Sequence, residues 1–213
     1  MTHLKRKSIP KEWPMSRKGS TFVAKNISKG VPILVVIRDI MKIARNRKEV
    51  KKAIHMKHLL VSNRIVNDEK KSMELFDTLT IIPSKKNYQL ILSEHGKYDV
   101  KEISEKETKE KISKIIDKKI VKGKKSQLNL WDGRNYLSDI KCQVNDSVLI
   151  DLEKNKILKC LPLKEKCEVL IIGGKHAGDK GVVKRIDLEE KMVEVKTKDE
   201  QFNVLIKQIM VTK

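Results

Sequence analysis

The residues best spaced for chemistry form a glycine cluster, Gly173-Gly174-Lys175-His176-Ala177-Gly178-Asp179-Lys180-Gly181. Glycine-rich loops cradle phosphates when a Gly-Lys-Ser/Thr run follows four residues after the first glycine. Counted from Gly173, the next required glycine is Gly178, but Asp179 stands where lysine is needed and no Ser or Thr follows for magnesium. No helical pattern follows either, so no helix N-terminus is aimed at a ligand. Nucleotide hydrolysis is excluded on spacing. What remains is a strand, a glycine loop and a second strand, with Gly174, Gly178 and Gly181 serving positive φ or close packing. The loop backbone can then approach a partner closely, with Lys175, His176 and Lys180 on it, and the turn and the contact are compatible roles.

The other chemistry-bearing types form no constellation. His3, His55, His58, His95 and His176 have no Cys, Asp or Glu at ligand spacing, so no metal site is expected. Cys142, Cys160 and Cys167 are an odd set with no C-x-x-C, which argues against a disulfide framework or a cysteine zinc site and fits a reduced, cytosolic compartment. Carboxylates sit beside lysines rather than in apolar runs, and no nucleophile, base and oxyanion site assembles. No catalytic residue and no cofactor is expected, and no small-molecule substrate.

Charge is the informative property. The chain of 213 residues carries 48 Lys+Arg against 28 Asp+Glu, a net +20, with aromatics at only 4%. Residues 1–57 hold 16 Lys+Arg and 3 Asp+Glu, so a quarter of the chain carries 13 of the 20 excess charges. Such an imbalance points to a polyanionic partner, because phosphate neutralisation releases condensed counterions. The longest run free of charge and amide, 30–37, is far too short to span a bilayer, and the N-terminus has no apolar segment behind its charges. A membrane partner is not expected.

Several elements must position these charges. Residues 1–32, with Pro10, Pro14, Gly19 and Gly30 and little periodicity, read as a basic arm that orders on binding. Lys5, Arg6, Lys7, Lys11, Arg17 and Lys18 are its candidate phosphate contacts. Trp13 either packs back onto the body or stacks on a nucleobase. From Pro32, Ile33, Ile37, Ile40, Met41 and Ala44 make one apolar helical stripe, which places Arg38, Lys42 and Arg45 together on the opposite face. Asn46, with Glu49 three residues on, caps a second helix that buries Val50, Ala53 and Ile54 and presents Arg47, Lys48, Lys51, Lys52 and His55. A hairpin turning at 62–64, with Asn63 at positive φ, and a strand over 79–82 complete a unit over 33–83.

Residues 84–160 read as a central β domain, in which 88–92 and 98–103 form a hairpin. Ser104 and Glu107 form a second capping box, expected to open a short charged helix toward Ile116. A basic loop or strand edge follows over 118–125, then the alternating run 127–130 and a glycine turn at 132–134. Residues 161–213 contain four or five short apolar runs separated by glycine or charged turns, the pattern of a small five-stranded barrel. The fold class is α+β, mostly β and multi-domain.

With these residues in view, the chain resembles the archaeal and eukaryotic S-four-e family of small-subunit ribosomal proteins. The opening His3-Leu4-Lys5-Arg6 with Pro10-Lys11-Glu12-Trp13, the pair Ile37-Arg38-Asp39 and Glu49-Val50-Lys51-Lys52, and Gln127-Leu128-Asn129-Leu130 with Asp132-Gly133-Arg134-Asn135 are similar to its motifs. Trp131 stands where the family usually has His. Ile172-Gly173-Gly174-Lys175-His176-Ala177-Gly178 with Gly181 looks like its KOW motif. The resemblance implies an S-four-like RNA-binding module over 33–83 and an SH3-like KOW barrel at the C-terminus. It implies a non-enzymatic, cytoplasmic ribosomal protein whose partners are small-subunit ribosomal RNA and neighbouring ribosomal proteins. Two other classes fit less well. A KOW-type transcription or RNA-processing factor would not account for the basic N-terminus, and an RNA-modifying enzyme would need a catalytic acid that 84–213 lacks.

Overall fold

The computed structural model describes residues 3–24, 30–121, 126–197 and 200–212. The fold is mostly β, in two compact units: one from 1–93 and 97–109, the other from 94–96 and 110–213.

The first unit is built around a five-stranded antiparallel sheet in the order Arg64–Ile65, Leu59–Val61, Thr78–Ile81, Lys86–Leu92, Tyr98–Ile103. Ser62 and Asn63 both take positive φ (48° and 60°), the two-residue turn whose twist matches paired strands. Below that turn, the Ser62 hydroxyl donates to buried Asp77 at 2.7 Å. The hairpin assigned from sequence to a central domain joins this sheet instead. Pro83 ends one strand, but a tight turn brings Lys86 opposite Ile81, so the ladder continues.

The N-terminal segment is not a free arm. Leu4–Lys5 pairs with Phe22–Ala24, the Glu12 carbonyl accepts from the Tyr98 amide at 2.8 Å, and Ile9, Trp13 and Val23 are buried. Trp13, at 3% exposed, lies in one apolar cluster with Ile33, Val36, Val50, Leu59 and Leu90. Apolar burial outweighs the lack of local periodicity.

The helical pattern after Pro32 is realised only in part. An α turn at Ile33–Val35 runs into a wider π turn at Val36–Ile40, and Lys42 at φ 55° closes it. Ala44 and Arg45 lie beyond the helix. The second helix forms as expected over Arg47–His55: Asn46 Oδ1 accepts from the Glu49 amide at 3.0 Å, and the Glu49 carboxylate accepts in return from Asn46 Nδ2 and from the Arg45 amide. Val50 and Ile54 face the core while Lys48, Lys51, Lys52 and His55 face solvent.

The second unit contains two five-stranded sheets. One has the order Asn135–Ser138, Ser126–Leu130, Glu110–Ile120, Ser147–Asp151, Lys156–Leu161. The other has the order Gln201–Leu205, Met192–Lys196, Lys180–Asp187, Glu168–Ile171, Ile209–Val211. The helix expected after Ser104 does not form. Its capping bonds do, with Glu107 accepting from the Ser104 amide and hydroxyl, but they close a single 3₁₀ turn at Glu107–Lys109. The chain then becomes the eleven-residue strand Glu110–Ile120, in which Lys111, Ser113 and Ile115 alternate inward. That period of two was hidden because two of its three inward residues are polar. The expected basic run over 118–125 lies partly in that strand and partly outside the described residues.

Candidate nucleic-acid interface

Among the described residues, exposed cations cluster on the Arg47–His55 helix. Lys48, Lys51 and Lys52 are exposed on it, and the capping box fixes its start while Val50 and Ile54 fix its rotation. Lys5, Lys7, Lys11, Arg17 and Lys18 are also exposed, on the folded N-terminal segment. Two candidates of that segment have other tasks. Arg6 donates from Nε to the Ser20 carbonyl and from Nη1 to the Ser16 carbonyl, both at 2.8 Å, so its guanidinium pins the 16–20 loop. Trp13 is buried and offers no face to a base, which decides between its two readings.

Arg38, Lys42 and Arg45 do not stack on one helical face, because the helix ends before Lys42. Arg38 pairs with its neighbour Asp39 at 2.7 Å. Arg47 grips Glu69 through Nε and Nη2, and this contact strengthens the hold on its proton. The Glu69 side chain is only 6% exposed, so Arg47 supplies the counter-charge that lets a carboxylate stay buried.

In the glycine loop, Gly174 and Gly178 take φ of 91° and 100°, where a side chain would be strained. Gly181 has a different reason. A Cβ there would lie 2.5 Å from Val195 Cγ1 and 2.7 Å from the Lys196 carbonyl oxygen, so the neighbouring strand approaches too closely for any side chain. The loop is held by the Gly178 amide donating to the Ile171 carbonyl at 2.8 Å. Lys175 and Lys180 are exposed. His176 is half-covered: its ring stacks on Phe202 with centroids 3.7 Å apart, and Nδ1 lies 3.5 Å from Asp179. Its first role is packing.

Two lysines of the second unit escaped the sequence reading. Lys111 pairs with Asp132 at 2.8 Å, with side chains 1% and 4% exposed, and Arg134 Nε lies 3.6 Å from the same carboxylate oxygen. This buried pair anchors the Asp132-Gly133-Arg134 turn to the long strand. Lys114 donates from Nζ to the carbonyls of Ile206 and Ile209, and Ser147 Oγ accepts from the Val211 amide at 2.9 Å. These bonds tie the two sheets of this unit together. Burial pulls the Lys114 ammonium down to about 8. The alternation Lys111, Ser113, Ile115 was the available signal for an inward lysine.

Among the described residues, no group of three or more His, Cys, Asp or Glu is placed to hold a metal ion. The three cysteines are free thiols, and burial pushes both Cys160 and Cys167 upward, away from the reactive thiolate form. Among the described residues, the arrangement suits phosphate neutralisation and packing.

Comparison with known proteins narrows this chemistry to a family. The model of the ribosomal family S4e matches residues 84–157, and the KOW motif matches 168–196. The small ribosomal subunit protein eS4 of Methanocella arvoryzae is 34% identical over 190 residues, covering 86% of this chain and 80% of that protein. The chain belongs to the eS4 family. The eS4 proteins of Methanothermobacter thermautotrophicus and Nanoarchaeum equitans are similar at 33% and 34% identity, over 87% and 86% of this chain and 79% and 82% of their own lengths. The eS4 fold is shared as well: the crystal structure of the 30S ribosomal protein S4e from Thermoplasma acidophilum has a TM-score of 0.73, covering 85% of this chain and 93% of that one at 21% identity.

Proposed function

We propose that this protein is a structural constituent of the small ribosomal subunit and binds small-subunit ribosomal RNA. The observation that carries the reading is eS4 family membership across most of the chain. The eS4 family is structural and not enzymatic, and this protein acts by binding rather than by turnover. Its location is the ribosome, in the cytoplasm, with neighbouring ribosomal proteins as its other partners.

The RNA contacts are assigned to the exposed Lys48, Lys51 and Lys52 of the capped helix, to the exposed cations of the N-terminal segment, and to Lys175 and Lys180 of the glycine loop. Folded RNA is recognised largely by shape and backbone, which suits flexible ammonium groups on a fixed scaffold. Residues 33–83 serve as the S-four-like RNA-binding module, and 161–213 as an SH3-like KOW barrel. The return of the last strand, Ile209–Val211, to pair with the first, Glu168–Ile171, and the buried apolar cluster around Val169, Val183, Val193 and Val204 support a barrel.

Co-sedimentation of the full chain with small subunits, before and after a high-salt wash, tests the reading. Retention at low salt and release at high salt is the expected result. Failure to associate with small subunits or their RNA, with capture by RNA polymerase instead, would establish the transcription-factor alternative.

A further inference from the structure

We propose that the cavity between the N-terminal strand pair and the first helical turn takes a single unpaired nucleotide of ribosomal RNA, its base on the Phe22 ring and its phosphate at Arg38 and Arg47. This rests on the reading that the protein binds ribosomal RNA, and adds a site at which one base is held rather than a backbone neutralised.

The cavity has a volume of about 240 Å³ and lies wholly within the first unit. That is room for one planar base and not for the edge of a duplex. Its floor is apolar: Val23 and Leu34 are buried there, beside Pro32. Phe22 stands on its wall 54% exposed, one of three phenylalanines in the chain, with the His3 ring tilted against it at 5.6 Å. A large aromatic left in water beside cations fits a base-stacking platform, since every base presents a π face.

The rim supplies the matching charge. Arg38, Arg47 and Lys70 line the cavity with Glu69, and each cation keeps a carboxylate partner of its own, Asp39, Glu69 and Asp68 in turn. The two arginines are prepared in the same way. Arg38 holds Asp39 through Nε and Nη2, and Arg47 holds Glu69 through Nε and Nη2, which leaves Nη1 of each for an anion. Their own carboxylates orient the guanidiniums, so little side-chain freedom remains to be lost on binding. A flat apolar group with an anionic neighbour is the chemistry of a nucleotide.

The full chain is titrated with a ten-nucleotide adenine-rich RNA carrying one 2-aminopurine, and separately with small-subunit ribosomal RNA. Phe22→Leu keeps an apolar side chain and removes the stacking face, while Phe22→Tyr keeps both. Phe22→Leu is expected to weaken oligonucleotide binding roughly 5- to 100-fold and to abolish the 2-aminopurine quenching. The salt dependence should stay unchanged, because no charge is removed. Phe22→Tyr should restore both affinity and quenching. If Phe22→Leu binds the oligonucleotide within twofold of wild type, or if wild type leaves 2-aminopurine unquenched, the site holds no base and the proposal falls. Binding of ribosomal RNA by wild type in that case leaves the wider reading standing; its absence removes both.

Discussion

Two sets of lysines, one in each unit of the molecule, are placed in opposite ways. In the first, Lys48, Lys51 and Lys52 stand in water on a helix whose other face carries Val50 and Ile54 into the core. In the second, Lys111 and Lys114 leave opposite faces of one strand and are both buried, at 2% and 3% exposed. One set is free to meet an external anion. The other is consumed internally, by a carboxylate in one case and by two backbone carbonyls in the other. Net charge is therefore a poor map of binding charge. A lysine counts toward a polyanion only when its own fold has not already taken it.

The contrast breaks most visibly at Lys111. Lys111→Ala leaves Asp132 buried without its main counter-charge and is expected to destabilise the second unit by about 3–5 kcal/mol. Arg134, 3.6 Å from the same oxygen, places the loss toward the lower end. Denaturant unfolding followed by a probe in this unit measures it, with the affinity of still-folded protein for ribosomal RNA unchanged. A large loss of affinity with stability intact would make Lys111 a binding lysine and erase the distinction.

The opposite signature is expected from the helix. Replacing Lys48, Lys51 and Lys52 together by Gln should lower the log–log salt slope of RNA binding by about 2–3 units, with little change in unfolding, because the side chains are exposed. Filter binding across a salt series checks this. An unchanged slope would show that the helix faces away from RNA.

Gly181→Ala probes the glycine loop without touching charge. The new methyl meets Val195 and the Lys196 carbonyl at distances no real side chain adopts, so a loss of about 1–3 kcal/mol from the second unit is expected. Lys175→Ala and Lys180→Ala, on the same loop, should leave the unfolding midpoint in place and reduce RNA affinity.

The smallest effect concerns pH. The Lys114 ammonium is lowered from 10.5 to about 8 by burial. Above that pH the folded protein has lost this proton while the unfolded chain still binds it, up to about 10.5. The unfolded state then binds more protons, and stability rises with pH. The gain is about 1.4 kcal/mol between pH 7 and pH 9. Comparing wild type with Lys114→Met in chemical denaturation at the two pH values isolates it, and equal pH dependence in both would remove Lys114 as the cause.

Much of the candidate interface was legible from local pattern. The Asn46–Glu49 box, the Val50 and Ile54 stripe and the lysines between them specify one another within a single helix, and so do the turn at Asn63 and the short C-terminal apolar runs. Phe22 was not legible, because nothing nearby in sequence says that it stays in water beside Arg38 and Arg47. Ser104 and Glu107 made their predicted bonds and still failed to start a helix, since the residues after them had strand partners far along the chain.

Local sequence is enough to specify the strongly basic character, the mostly β composition, the capped helix and the glycine turns. These are set by residue type and by interactions across a few positions, where the backbone has few alternatives. It takes the packing of distant segments to make Trp13 core, to set Arg6 on a loop, to end a helix at Lys42 and to bury Lys111 and Lys114. Each of those outcomes depends on which distant segment supplies the cavity, the carbonyl or the carboxylate. A lysine's charge is fixed by its chemistry, but whether it faces water or a buried partner is fixed by the free energy of packing the whole unit.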